Sequence, residues 1–234
     1  MRHADVTPAL VAAETDRLVS TALGLHDPDG AFPSLCEGWT RGHVLAHVAR
    51  NADALARVCD VALTGVPGTM YDDPASRDAD IERDADRPLA DHVTDLRESA
   101  GRLAERLAQL RPEHSDVRVE RTPGGFPVAV GLVPFMRLRE VVFHHVDLDA
   151  GYTFASTPSE VVSLFLRDAV NRLAHADAPP SLRIRTDEGD EHTVKDDGAT
   201  LVTGPGADVL AWLARGTTDG VRFGGPVPTL PFGG

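Results

Sequence analysis

The sequence is short of basic residues, and this scarcity argues against one large class of partners. Among its 234 residues, 36 are Asp or Glu and 23 are Lys or Arg, which gives a formal net charge of −13. Lys195 is the only lysine, and no cluster of Lys and Arg rises above its acidic surroundings. Because affinity for a phosphate backbone needs a basic face, the composition argues against a nucleic-acid binder.

Cysteines and long apolar runs are also scarce. The sequence has 2 cysteines, Cys36 and Cys59, which are too few for a disulfide scaffold, so we expect reduced thiols. It has no apolar run of about 18 residues and no apolar signal region at its start, so we expect neither a membrane span nor export. We therefore expect a cytoplasmic protein with one large domain or two small ones, either of which can bury a proper core.

The residues that can carry chemistry are concentrated in one segment. Glu140, His144 and Asp147 stand at i, i+4 and i+7, so on a helix they share one face. Apolar residues surround them, and burying a carboxylate or a charged imidazole is costly unless it is paired or binds a metal. Two interpretations of this motif stay open. It is either part of a metal site, or a core histidine beside an ion pair from Arg137 or Arg139 to Glu140.

A second pair of histidines lies earlier in the chain. Thr40 is well placed as the N-cap of a helix, and His43 and His47 follow it one turn apart on the same face. His43 falls in the first turn and can reach solvent, whereas His47 has apolar neighbours on both sides. His47 is therefore the better candidate for a metal ligand, and the alternative is a hydrogen-bonded core histidine.

The first part of the chain has the pattern of a helical bundle. Helical spacing of apolar residues predicts four long helices, at about 6–25, from Thr40 onward, at about 88–111 and at about 131–150. Residues 64–87, rich in Gly, Pro, Asp and Arg, are predicted to form a loop. Four helices joined by loops predict a four-helix bundle over residues 1–152, and metal sites in bundles are built from side chains on facing helices.

Beyond Gly151 the pattern changes to that of a small α/β domain, which we place at residues 158–234. Helices are predicted at 159–176 and after Gly206, and strands at 182–185, 192–194, 200–202 and 220–225. The predicted fold class of the whole chain is therefore α+β.

Two motifs are long enough to indicate a family. LCEGWTRGHVLAHVARNA, from Leu35 to Ala52, and REVVFHHVDL, from Arg139 to Leu148, resemble the mycothiol-dependent maleylpyruvate isomerases of actinobacteria, in the DinB-like metal-binding superfamily. The likeness spans nearly the whole chain and includes Met70-Tyr71 and Ala214-Arg215-Gly216. It implies a DinB-like four-helix bundle that binds metal and thiol, followed by a small α/β domain.

The resemblance also implies roles for individual residues. It implies a zinc ion held by His47, Glu140 and His144, and it places Asp147 near the thiol cofactor, mycothiol. Arg215, from the small domain, is implied as a catalytic or substrate-binding arginine, with Arg222 as a nearby competitor.

The implied reaction is a cis-trans isomerisation in gentisate-type aromatic degradation. Two histidines and one carboxylate leave a fourth zinc position open, as in catalytic sites. A thiol that enters this position is deprotonated by the metal. The thiolate then adds to the double bond of maleylpyruvate, the resulting single bond rotates, and elimination gives fumarylpyruvate. The partners are thus a small dicarboxylate and a low-molecular-weight thiol. Because residues next to the three ligands are mostly apolar, Arg215 is expected to supply the cation.

Three other functions stay open from the sequence. A zinc-dependent mycothiol S-transferase would use the same thiolate and keep the adduct. A non-enzymatic binding module would hold zinc structurally, with His43 as the obvious fourth ligand. A zinc hydrolase is disfavoured because the sequence contains no H-E-x-x-H and no Glu beside His47 that could act as the base. Cys36 is interpreted as structural, with a reactive thiol as the alternative.

Overall fold

The computed structural model describes residues 5–195 and 197–231. The chain divides into two compact units at the junction between Tyr152 and Thr153. Within the described residues the first unit contains five α-helices, α1 (Pro8–Leu23), α2 (Arg41–Thr64), α3 (Pro74–Ala85), α4 (Leu89–Gln109) and α5 (Val133–Asp147). A short hairpin joins the last two helices, with strands β1 (Arg118–Glu120) and β2 (Pro127–Ala129).

Helix α2 is the central element of the first unit, because it packs against α3, α4 and α5. Its start is fixed by Thr40, whose hydroxyl accepts from the backbone N–H of His43 while the His43 ring accepts from the backbone N–H of Thr40. Its end is Gly65, which adopts φ 70°, a left-handed conformation that favours glycine. Helix α1 packs on α4 and α5, so α1, α2, α4 and α5 form the predicted bundle around fully buried leucines such as Leu18, Leu45 and Leu96.

The predicted loop over 64–87 is wrong in its second half, where helix α3 forms. Asp73 caps this helix by accepting from the backbone N–H of Ser76 at 2.9 Å, and Pro74 supplies a φ angle suited to the first turn. Of its apolar side chains only Ile81 and Ala85 are buried, and the rest of the helix is strongly polar. The apolar periodicity is therefore too weak to reveal a helix that buries one narrow face.

The hairpin fixes a neighbouring loop by backbone hydrogen bonds. Strands β1 and β2 pair antiparallel, with Val119 opposite Val128. The backbone N–H groups of Met70 and Tyr71 donate to the carbonyls of Glu120 and Arg121, each at 2.9 Å. The side chains of Tyr71 and Arg121 are therefore held on adjacent segments.

In the part of the second unit that the structure describes, there are two helices, α6 (Ser159–Ala174) and α7 (Gly206–Arg215), and four strands, β3 (Leu182–Thr186), β4 (Glu191–Val194), β5 (Thr200–Gly204) and β6 (Arg222–Phe223). The strands form one sheet in the order β4-β3-β5-β6, in which β3 and β5 are parallel and the other pairs are antiparallel. Helix α6 packs on α7 and β4 over a core that includes Ile184, Val202 and Trp212. The predicted class, a helical bundle followed by a small α/β domain, is confirmed. In the described ranges, no helix is both long and apolar enough to span a membrane.

Candidate metal centre

Helices α2 and α5 bring together the three predicted metal ligands. His47 Nε2 lies 2.9 Å from Glu140 Oε2, and His144 Nε2 lies 3.4 Å from the same oxygen. The two imidazole rings meet edge to face, with their centroids 4.5 Å apart. One ligand atom from each of the three side chains lies within 4.8 Å of the other two. The structure therefore forms a compact cluster of two nitrogens and one carboxylate oxygen, which we call the His–Glu–His cluster.

Burial and hydrogen bonding set the charges of this cluster. Burial opposes ionisation of Glu140, but hydrogen bonds from His144 and His47 outweigh it and hold the pKa of that carboxyl well below its usual range. Burial also lowers the pKa of His144, but hydrogen bonds to Asp147, Cys36 and Glu140 outweigh it and hold that pKa well above the usual value. The pKa of His47 is lowered by burial, which its hydrogen bond to Glu140 offsets only in part.

The donor set fits a zinc ion. Two imidazole nitrogens and one carboxylate oxygen are the ligand set of many catalytic zinc sites, in which a further position stays open. His144 also has the usual partner for its second nitrogen, because Nδ1 lies 2.9 Å from Asp147 Oδ2. A carboxylate in this place fixes the ring orientation of a metal-binding histidine and raises its basicity.

His47 has a different partner on its second nitrogen. Arg77 Nη2 lies 3.3 Å from His47 Nδ1, and a guanidinium can only donate. Nδ1 therefore accepts, and the ring proton is on Nε2, which donates to Glu140. With a metal on Nε2 the proton would have to be on Nδ1, where it would face an Arg77 N–H. The cluster thus fits a metal once the Arg77 side chain shifts.

Asp147 is fully buried behind His144, on the side of the ring away from Glu140. The Cys36 thiol donates to its carboxylate at 3.3 Å, and Cys36 also lines the cavity in front of the cluster, so its structural interpretation stays a prediction. The structure thus places Asp147 against His144, and its predicted proximity to the thiol cofactor stays a prediction.

The remaining candidates from the sequence have other partners. His43 Nδ1 bonds to the Thr40 hydroxyl at 2.7 Å, and its Nε2 lies 3.4 Å from Glu82, so His43 does not join the cluster. Arg137 donates to the carbonyl of Val48 at 2.7 Å. Arg139 lies over the ring of Phe143, so neither arginine forms the ion pair with Glu140 that the sequence left open.

A cavity of about 330 Å³ opens in front of the cluster. It is lined by the three cluster residues and by Cys36, Glu37, Trp39, Asn51, Met70, Tyr71, Arg77, Arg121 and Met136. The expectation of a mostly apolar surround is therefore wrong, since two arginines and a tyrosine are present. The pKa of the Tyr71 phenol is raised, mainly by burial. Arg77 and Arg121 lower this pKa and Glu140 raises it, so the charges of these three residues all lie near the Tyr71 ring.

Sequence reasoning missed Arg77 and Arg121 because neither belongs to a periodic motif. Arg77 falls in the segment predicted as a loop, and Arg121 falls in the turn between β1 and β2. Tyr71 had one signal, the Met70-Tyr71 pair within the family resemblance.

Arg215 belongs to the second unit, where it is the last residue of α7. Its Nη1 donates to the carbonyl of Ala214 at 2.8 Å, and Gly216 ends the helix with φ 73°. Its competitor Arg222 pairs with Asp187 at 2.9 Å. The catalytic role of Arg215 stays a prediction.

The fold and the His–Glu–His cluster define the class of protein as a helical bundle with a candidate catalytic metal centre, joined to a small α/β domain. The chain belongs to the mycothiol maleylpyruvate isomerase family, because the model of that family's N-terminal domain matches residues 11–149, more than half of its length.

Two solved structures are similar to this chain over 99% of both chains. One is the crystal structure of a mycothiol-dependent maleylpyruvate isomerase, with 26% identity and a TM-score of 0.87. The other is a mutant of a mycothiol-dependent maleylpyruvate isomerase in which a histidine is replaced by alanine, with 25% identity and a TM-score of 0.88. Among curated proteins, no match to the chain was found.

Proposed function

We propose that this protein is a zinc- and mycothiol-dependent isomerase that converts maleylpyruvate to fumarylpyruvate. The observation that carries the proposal is the convergence of His47, Glu140 and His144 on one cavity. This convergence occurs in a chain that is similar along its length to a solved isomerase of that name.

In this proposal the three cluster residues hold the metal. When bound there, zinc would supply an open position at which a thiol is deprotonated. Asp147 keeps the His144 ring in place through the contact with Nδ1, so that Nε2 stays directed at the ligand position. The ring centre of Trp39 lies 5.4 Å from that of His47, so the indole packs against one side of the cluster.

The cavity in front of the cluster suits a small ligand with both polar and apolar parts. Its volume of about 330 Å³ is at the lower end of the usual range for ligand sites. Met70 and Met136 contribute apolar wall, while Arg77 and Arg121 contribute positive charge. These two cations of the cavity lining can attract a dicarboxylate in spite of the acidic net charge of the protein.

The test is turnover of maleylpyruvate by purified zinc-loaded protein, with mycothiol supplied in catalytic and in stoichiometric amounts. The proposal expects complete conversion to fumarylpyruvate with catalytic mycothiol. His47→Ala should abolish turnover, and His43→Ala, one turn away on the same helix, is the matched control that should retain it. Consumption of one thiol per product would indicate an S-transferase. No turnover at any thiol concentration would contradict the proposal.

A further inference from the structure

Arg121 is held at the cavity wall by two aromatic rings. It follows β1 in the hairpin turn, and its guanidinium lies 5.6 Å from the ring centre of Tyr71 and 5.8 Å from that of Phe126. Its backbone is fixed as well, because its N–H donates to the carbonyl of Phe126 at 3.1 Å and its carbonyl accepts from Tyr71. Stacking on aromatic faces leaves the edge of a guanidinium, with its N–H donors, free to bind a ligand.

The acidic residues nearest in sequence to this wall are engaged elsewhere. Glu120 accepts a hydrogen bond from the backbone N–H of Gly124 at 2.8 Å. Asp72 pairs with Arg57 at 2.5 Å. Throughout the described residues, no carboxylate lies within ion-pairing distance of Arg121. Arg121 is therefore a solvent-exposed cation that lies against two aromatic rings and has no carboxylate partner among the described residues.

Among the charged groups of the cavity, Arg121 is the cation most available to bind a ligand. Arg77 contacts His47 through Nη2 and pairs with Asp78 through Nη1 at 2.6 Å. Glu140 is engaged by the two cluster histidines. Glu37 is an exposed carboxylate in the same lining.

We propose that Arg121 is the carboxylate-binding residue of this cavity, and that it holds one carboxylate of a small dicarboxylate ligand whose reacting part lies at the His–Glu–His cluster. The identity of that ligand as maleylpyruvate rests on the proposed function. A guanidinium presents two parallel donors to a carboxylate, which fixes orientation as well as supplying affinity. Arg121 thus determines which end of the substrate points away from the cluster.

The closest control for Arg121 is Arg118. It is an exposed arginine on the same hairpin, at the start of β1, and it does not line the cavity. The test compares Arg121→Gln and Arg121→Lys with Arg118→Gln. Circular dichroism and zinc content must first show that all three variants fold and bind metal. The first measurement is calorimetric titration of each zinc-loaded protein with maleate, a dicarboxylate probe that needs no turnover.

Arg121→Gln should bind maleate roughly 10-fold or more weakly, the effect of losing one hydrogen bond to a charged group. Arg121→Lys should fall between it and the wild type, because lysine keeps the charge without the planar fork. Arg118→Gln should bind maleate like the wild type. In turnover, KM for maleylpyruvate should rise in Arg121→Gln by a similar factor, while KM for mycothiol stays unchanged.

The outcomes separate this inference from the proposed function. If the wild type binds maleate but does not turn over maleylpyruvate, and Arg121→Gln loses the maleate binding, the subsite stands and the proposed function fails. If the wild type is an isomerase and Arg121→Gln matches Arg118→Gln in both measurements, the subsite is overturned and the function stands. A rise in KM for mycothiol alone would assign Arg121 to the thiol and overturn its role as the substrate carboxylate site.

Discussion

Asp147 Oδ2 lies 2.9 Å from His144 Nδ1, on the ring nitrogen opposite to the one that faces Glu140. This buried contact holds the imidazole in the orientation in which Nε2 can serve as a ligand. Asp147, the third polar residue of the α5 motif, therefore has a partner within the protein, the His144 ring.

We expect Asp147→Asn to weaken zinc binding by roughly 10- to 100-fold, the usual effect of removing the carboxylate behind a metal-binding histidine. Competition with a fluorescent chelator measures the zinc dissociation constant directly. Asp149→Asn, two residues further on at an exposed position, is the control and should match the wild type. An unchanged dissociation constant in Asp147→Asn would show that this contact does not support metal binding.

His47→Ala should lose most of the bound zinc, because it removes the ligand supplied by α2. His145→Ala should keep it, since His145 Nε2 bonds to Thr21 on α1 at 2.7 Å and its ring stacks on Tyr152. Metal analysis of the purified variants, with His43→Ala as a second control, decides this. One zinc per chain in His47→Ala would mean that the ligand assignment is wrong.

Arg77→Gln should bind zinc several-fold more tightly than the wild type. The substitution removes a positive charge that lies near the metal position. That charge repels a bound metal cation, so its removal should strengthen zinc binding. It also replaces a donor-only group with an amide, whose oxygen can accept from His47 Nδ1–H when Nε2 binds metal. The same chelator competition measures the change.

Arg83→Gln is the matched control for Arg77→Gln. It removes an exposed arginine from the same helix, where Arg83 pairs with Asp84 at 3.1 Å, away from the cavity lining. Its zinc affinity should equal that of the wild type. Weaker zinc binding in Arg77→Gln would indicate that Arg77 supports the cluster and does not compete with the metal.

Sequence reasoning reached the His–Glu–His cluster because its members carry local signals. Glu140 and His144 are one turn apart on an otherwise apolar helix, and His47 stands among apolar neighbours near a clear N-cap. Tyr71 and Arg121 lie outside regular elements, and backbone hydrogen bonds between a loop and a hairpin bring them together. Such bonds do not depend on side-chain identity, so no residue pattern reveals them.

Arg215→Ala should keep the zinc content and the fold but lower kcat/KM by roughly 10²-fold or more, the scale of removing one donor that stabilises developing charge. The alternative is that Arg215 only caps the C-terminus of α7, a contribution of about 0.3–1 kcal/mol to stability. Arg185→Ala, which breaks an exposed surface pair with Glu191 in the same unit, is the control. Near-normal activity with a lowered melting temperature would leave only the capping role.

The stability of the protein should fall at mildly acidic pH, in part because of His92. This histidine is buried in α4, with Nε2 at 3.3 Å from the carbonyl oxygen of Ala85. Burial lowers its pKa, the bond to Ala85 opposes this, Arg87 lowers the pKa further, and Asp95 and Asp84 raise it. The net effect is a folded-state pKa below that of the unfolded chain, which is about 6.5.

Above about pH 6.5, His92 is neutral in both states and its contribution to the free energy of unfolding is complete. As pH falls below that value, the unfolded chain takes up a proton that the folded protein excludes, so stability is lost until the folded-state pKa is reached. His92→Gln keeps a donor for Ala85 but cannot titrate. Urea unfolding of both proteins between pH 7.5 and 5 isolates the effect, since every other titrating group is common to them. The wild type should lose more stability than His92→Gln across this range, and a difference between the two that does not change with pH would contradict the assignment.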